Sequence, residues 1–202
     1  MFKKILAILV LLFLTGCSMN IENMTYQNII ESSIEDNIDY SNVNAVGYKY
    51  YLPINFNVYK DDVYNQVLTS NNDYYYLNVD VVSYHYKKSM KTMHELDDYV
   101  YYTFEKDGKN GYLRITKNND YFFVELCYNY AIIEVEVEEE DLKYAISRSI
   151  IILNSIKYND LVIEKNIVED NIETGESKYS IPQPENKSSS KNVLEYIKEN
   201  DG

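Results

Sequence analysis

Two successive apolar alternations between Phe122 and Val137 constrain the fold of this chain more than any other feature. The first places apolar residues at even-numbered positions and the second at odd-numbered positions. They are Phe122, Val124 and Leu126, followed by Ala131, Ile133, Val135 and Val137. Because side chains alternate across a strand with a period of two, one residue near Asn129 must reset the register. A tight turn or bulge joining two antiparallel strands is therefore predicted there.

Shorter aromatic and β-branched segments precede this pair and predict further strands. They cover 47–52, 56–59, 66–69, 74–84, 99–104 and 112–116. Pro53 should end the first of them. Asp107-Gly108 and Asn110-Gly111 supply the left-handed residues that a hairpin needs. Residues 86–98 break the alternation, so a loop or short helix is expected between the strands of this antiparallel meander.

Along the chain, one helix is predicted before the meander and one after it. Thr25 can cap the first, over 26–37, where an apolar residue recurs every four positions. The second follows four acidic residues, Glu138–Asp141, whose charge suits the start of a helix, although a cation site is the alternative interpretation of the same cluster. The expected buried face of this long closing helix is Leu142, Ala145, Ile146, Ser149, Leu153 and Ile156.

This element order predicts an α+β fold, an antiparallel sheet meander flanked by an N-terminal helix and a long closing helix. The opening Gly47–Pro53 and the closing Ile152–Tyr158 resemble PsbP-like domains. The resemblance implies an α/β/α sandwich and an accessory or assembly role, and it carries over no catalytic residues. The predicted organisation is one domain over 25–160 and a polar tail over 161–202 that contains a short C-terminal helix.

The amino terminus has the sequence of a secretory signal. Lys3 and Lys4 precede Ile5–Leu14, which is apolar throughout its ten residues. A transmembrane helix needs roughly 20 apolar residues, so this run is too short to span a bilayer but suits the core of a signal peptide. An exported chain is therefore expected.

Leu14, Thr15, Gly16 and Cys17 follow, and this sequence resembles the bacterial lipobox. The resemblance implies that Cys17 receives a diacylglyceryl thioether, that Leu14, Thr15 and Gly16 are recognised by the signal peptidase, and that residues 1–16 are removed. Residues 17–24 would then be a lipidated tether on the extracytoplasmic face of the cell membrane. The chain is similar to uncharacterised lipoproteins of low-GC Gram-positive bacteria; the alternative is an ordinary secretory signal with a chance cysteine.

Charge and cysteine content restrict the partners of such a domain. The formal net charge is −13, so nucleic acid and anionic lipid surfaces repel the chain, and nucleic-acid binding is not expected. Membrane contact would come from the lipid on Cys17. Once that residue is modified only Cys127 is left, which predicts no disulfide within the chain and a packing role for Cys127.

No catalytic or cofactor motif is present, and no cofactor is predicted. His85 and His94 are the metal-binding candidates, but a nine-residue separation is not a usual ligand spacing, and solvated loop side chains are the simpler interpretation. We therefore expect a membrane-anchored, non-enzymatic binding or accessory module with an unidentified protein or cell-envelope partner. The alternatives are a cell-envelope hydrolase that uses acidic residues and a small solute-binding lipoprotein.

Overall fold

The computed structural model describes residues 20–89 and 98–169. In these ranges the chain forms two antiparallel sheets and four α-helices, which confirms the predicted α+β class. The helices are α1 (Tyr26–Glu35), α2 (Val81–His85), α3 (Leu142–Asn154) and α4 (Asp160–Glu169), and a 3-10 turn covers Ile21–Asn23. The strands are β1 (Val43–Ala45), β2 (Tyr48–Tyr50), β3 (Asn57–Asp62), β4 (Asn65–Ser70), β5 (Asp73–Val79), β6 (Val100–Lys106), β7 (Lys109–Asn118), β8 (Tyr121–Tyr128), β9 (Ala131–Glu138) and β10 (Lys157–Tyr158).

Two meanders make up the larger sheet, whose strand order is β3-β4-β5-β9-β8-β7-β6. The first is β3-β4-β5 and the second is β6-β7-β8-β9, and they are joined by antiparallel pairing of β5 with β9. The register reset predicted near Asn129 is confirmed, because Asn129 and Tyr130 both have positive φ, at 50° and 66°, and form the turn between β8 and β9.

The inner face of this sheet carries the apolar set that the sequence predicted. Val124, Leu126 and Ile133 are among its fully buried members. The buried face predicted for the closing helix is confirmed for the five residues that lie within α3, and Ile156, which follows the end of the helix at Asn154, is buried as well. The outer face presents the intervening residues of the same strands, several of them polar.

Helices α1 and α3 pack together on the inner face. The Tyr102 hydroxyl of β6 donates to Glu31 of α1 at 2.9 Å, and α3 contacts β8 and β9. The α/β/α sandwich implied by the resemblance would need helices on both faces. Among the described helices, α1 and α3 lie on the same face of the larger sheet.

The two helices run in the same direction along the sheet. The Lys143 ammonium at the start of α3 donates to the Glu22 carbonyl just before α1, at 2.6 Å. At their other ends, the Asn154 amide of α3 donates to the carbonyls of Ser33 and Asp36, at 3.0 and 2.9 Å. Both helices therefore begin at one end of the domain and finish at the other.

We call the end where both helices begin the entry end. It contains the turn Ile21–Asn23, the strand turns Asn71–Asn72 and Asn119–Asp120, and the segment 139–141 that leads into α3. The opposite, far end contains the turns Asp107–Gly108 and Asn129–Tyr130, with α2, α4 and the small sheet β1-β2-β10.

Helix α4 continues the packed structure beyond residue 160, where the predicted domain ends. Ile163 is fully buried and Ile167 is 6% exposed, and the Asn159 amide donates to the Gly47 carbonyl at 2.8 Å. Two isoleucines one turn apart give this otherwise polar segment an apolar strip, so residues 161–169 belong to the domain. The remainder of the predicted tail, with its short helix, lies outside the described residues.

Three local predictions are also wrong. The strand expected over 74–84 ends at Val79, because Asp80 accepts from the Ser83 amide at 2.7 Å and starts α2. Asp107-Gly108 makes its hairpin turn, but Asn110-Gly111 lies inside β7. Within the expected tether, Ile21–Asn23 form the 3-10 turn, and Ile21 and Met24 pack against the core.

Strand β3, beside β4, is one edge of the larger sheet, and β6 is the other. All six of its residues are exposed. Its pairing with β4 shifts register between Val58 and Lys60, so the strand contains an irregularity of the β-bulge type.

Candidate functional site

The predicted functional residues are only partly within the described chain. Leu14, Thr15, Gly16 and Cys17 lie outside it, and so does His94. His85 is the last residue of α2, where its ring meets the Tyr86 ring edge-on with centroids 4.9 Å apart. Within residues 20–89 and 98–169, no group of three or more His, Cys, Asp or Glu side chains is arranged to hold a metal ion.

Cys127 lies on β8 and is fully buried. Burial, followed by the charges of Glu125 and Asp80, raises the pKa of its thiol well above the ordinary value. A nucleophilic thiol requires the opposite shift, since the thiolate is the reactive form. The packing role predicted for Cys127 agrees with this environment.

A hydrogen-bonded carboxylate network occupies the outer face of the sheet. The Tyr112 hydroxyl on β7 donates to Glu125 Oε1 at 2.5 Å, and the Arg114 guanidinium donates to Glu125 Oε2 at 3.0 Å. The Arg114 and Glu125 side chains are only 15% and 12% exposed. Burial and the charge of Glu125 raise the pKa of the Tyr112 phenol, so it stays a donor.

Glu134 lies directly opposite Glu125 in the β8–β9 pair. Burial, and next the negative charge of Glu125, raises the pKa of Glu134 to about 7, while Arg114 opposes the shift. Two neighbouring carboxyl groups therefore have different environments. One accepts hydrogen bonds from a cation and a phenol, and the other exchanges a proton near neutral pH.

Sequence reasoning did not single out this pair, although the sequence contains a signal for it. A two-residue turn at Asn129–Tyr130 makes each strand residue face the one equally distant on the other side of the turn. Glu125 and Glu134 are equally distant from that turn. Both also occupy positions between the apolar residues that face the core, which places them together on the outer face.

A groove of about 660 Å³ lies at the far end, between the small sheet and the start of α4. Its lining includes Lys49 and Lys157, which are register partners in the β2–β10 pair, and Asp160 and Leu161 from the first turn of α4. Tyr158 also lines the groove, and its ring stacks on Tyr84 with centroids 3.8 Å apart. Groove and carboxylate network are separate features.

The amino-terminal end of the described chain is fixed to the domain. The Asn20 side chain accepts from the Glu22 amide at 3.1 Å, and Thr25 caps α1 by accepting from the Asn28 amide at 3.1 Å. Ile21 and Met24 pack against the core. Packing of the described chain against the core thus begins with Ile21, four residues after Cys17.

No protein-family model, curated protein or solved structure matches this chain. Within the described ranges, none of the helices has the length and apolar character required to cross a bilayer.

Proposed function

We propose that this chain is a lipoprotein anchored to the extracytoplasmic face of the cell membrane through Cys17, and that its domain is a non-enzymatic binding or accessory module. The observation that carries the proposal is Leu14-Thr15-Gly16-Cys17 at the end of a basic and then apolar leader. Two acyl chains on one cysteine satisfy the requirement for stable anchoring, because a single chain binds membranes only marginally.

Two structural observations support the proposal. Ile21 packs against the core, so a covalent lipid on Cys17 would lie only four residues from the folded body. The exposed part of its outer sheet face, which includes Tyr74, and its far-end groove offer surfaces for a partner. The proposed partner is a protein or another cell-envelope component.

The decisive experiment expresses the full chain in a bacterium and compares detergent-phase partitioning of the wild type and Cys17→Ala. The wild type should enter the detergent phase, and its mature amino terminus should carry the mass of a diacylglyceryl group. Cys17→Ala should lose both properties. Cys127→Ala is the matched control, since it removes a buried cysteine and should leave partitioning unchanged.

A wild-type amino terminus without added lipid mass would overturn the anchoring proposal. For the binding role, crosslinking in intact cells should recover a defined partner with the wild type and not with a chain whose outer sheet face is altered. Recovery of the same partner by both would exclude the outer face as the binding surface.

The Glu125–Glu134 pair favours a second candidate, the cell-envelope hydrolase that uses acidic residues. Hydrolases commonly pair one ionised carboxylate with one carboxyl group whose pKa lies near the working pH. If this pair is catalytic, hydrolysis of cell-wall fragments by the purified domain should be lost in Glu134→Gln and kept in Glu138→Gln, which changes an exposed acid on the same strand. Absence of hydrolysis by the wild type would rule this candidate out.

The resemblance to PsbP-like domains also belongs to the proposal. The order of the elements, with a meander before a long closing helix, supports it, and proteins of that type mostly act as accessory or assembly factors. Loss of assembly of a cell-envelope complex on deletion of this chain would favour that role.

A further inference from the structure

Only a short length of chain separates Cys17 from the fixed part of the domain. Asn20 is the first described residue, and three peptide units join its Cα to that of Cys17. Because an extended residue spans about 3.3–3.6 Å, the two Cα atoms lie at most about 11 Å apart. A lipid on Cys17 would therefore hold Asn20 close to the headgroups.

The position of Asn20 in the fold determines which part of the domain comes close to the membrane. The turn that follows it, Ile21–Asn23, packs against the start of α3, and the Lys143 ammonium fastens it there. This is the entry end. The far end lies one sheet length away, because β7 spans about 30 Å from Lys109 to Asn118.

From these two distances we propose that the entry end faces the bilayer surface and that the far end, with its groove, points away from the membrane. The proposal rests on the lipid anchor at Cys17. It adds an orientation to that anchor and identifies the lipid headgroup layer as the neighbour of the entry end.

The charge of the entry end determines how closely this end approaches the lipid headgroups. Its exposed acidic residues are Glu22, Asp120, Glu138, Glu139 and Glu140, with Lys117 and Lys143 as basic neighbours. Anionic headgroups repel such a surface at distances up to about 10 Å at 0.1 M salt. This distance is similar to the length of the covalent linker, the chain between Cys17 and Asn20. The entry end is therefore held near the headgroups by the covalent linker alone and does not insert among them.

Site-directed fluorescence in reconstituted vesicles tests the orientation. The full, lipidated chain carries one new cysteine, at Asp120→Cys on the entry end or Glu105→Cys on the far end, and each change removes one exposed carboxylate. A thiol-reactive dye reports on that position, because Cys127 is fully buried. The vesicles combine zwitterionic and anionic phospholipid with a lipid that carries a spin-label quencher on its headgroup.

Headgroup quenching should be several-fold stronger at Asp120→Cys than at Glu105→Cys, and quenching at Asp120→Cys should increase with salt as the repulsion is screened. Equal quenching at the two positions, or stronger quenching at Glu105→Cys, would overturn the orientation. These outcomes are distinct from failure of the anchor, which would appear as missing lipid mass on Cys17 and as protein that does not float with the vesicles.

Discussion

Glu125 and Glu134 face each other across the β8–β9 pair, and the Arg114 guanidinium and the Tyr112 hydroxyl both donate to Glu125. Two partly buried carboxyl groups side by side would repel each other if both were ionised, because little water is present to screen their charges. The two donors stabilise the charge of Glu125, and the proton on Glu134 relieves the repulsion.

This arrangement predicts a pH-dependent stability. Burial and the neighbouring Glu125 raise the pKa of Glu134 from 4.5 to about 7, so the folded chain holds the Glu134 proton more tightly than the unfolded chain does. The free energy of unfolding should therefore fall as the pH rises from about 4.5 to about 7, by about 2 kcal/mol after allowance for solvent screening.

Denaturant titrations across that pH range, with the wild type and Glu134→Gln, measure this contribution. Glu134→Gln should remove most of the slope, whereas the exposed Glu138→Gln should leave it unchanged. An identical slope in the wild type and in Glu134→Gln would contradict the assignment of the titrating group.

Arg114 should contribute to stability mainly by compensating the buried charge of Glu125. Arg114→Met leaves that carboxylate without its cation and should lower the free energy of unfolding by about 3 kcal/mol. Adding Glu125→Gln should restore part of the loss. Lys60→Met is the control, because the Lys60–Asp62 pair is 58% and 54% exposed and its loss should cost less than about 0.5 kcal/mol.

A side chain at Gly111 should be destabilising, because neighbouring atoms already occupy the space that its Cβ would need. A Cβ there would lie 2.6 Å from the Phe104 ring and 2.6 Å from the Cys127 carbonyl oxygen. Gly111→Ala should therefore destabilise the domain by about 3 kcal/mol. Gly108→Ala, at φ +73° with open space around it, should cost only about 1 kcal/mol, and thermal unfolding distinguishes the two.

The docking of α4 can be tested with two apolar residues of the same helix. Ile163 is fully buried, and Ile163→Ala should lower the free energy of unfolding by about 3 kcal/mol. Leu161 is 79% exposed, and Leu161→Ala should change it by no more than about 0.5 kcal/mol. Equal effects of the two substitutions would show that α4 is not part of the cooperative unit.

The features that the sequence predicted well are local ones. The β8–β9 hairpin follows from the change of parity around Asn129, and α1 and α3 follow from their apolar periodicity. In contrast, the pairing of β5 with β9 joins segments that are far apart in the chain, and alternation alone does not specify which strands become neighbours.

The errors arose where two signals competed. Val81 is buried and continues the alternation of β5, but the cap at Asp80 ends the strand and begins α2. Helix α4 was not predicted because its sequence is mostly polar. Among its described side chains, the buried ones are Ile163 and Ile167. The carboxylate network needs three neighbouring strands, so its donors on β7 become visible only in the folded sheet.

The β3 edge of the larger sheet has a consequence for crowded conditions. Molecules held by the proposed lipid anchor would share a plane, where they would meet more often than in free solution, and an open strand edge could then recruit a neighbouring copy. A strand arriving at β3 would meet the irregularity beside Tyr59 and the consecutive charges of Lys60, Asp61 and Asp62. Both devices discourage continuous ladder formation at the β3 edge, so crowded copies are hindered from pairing through this strand.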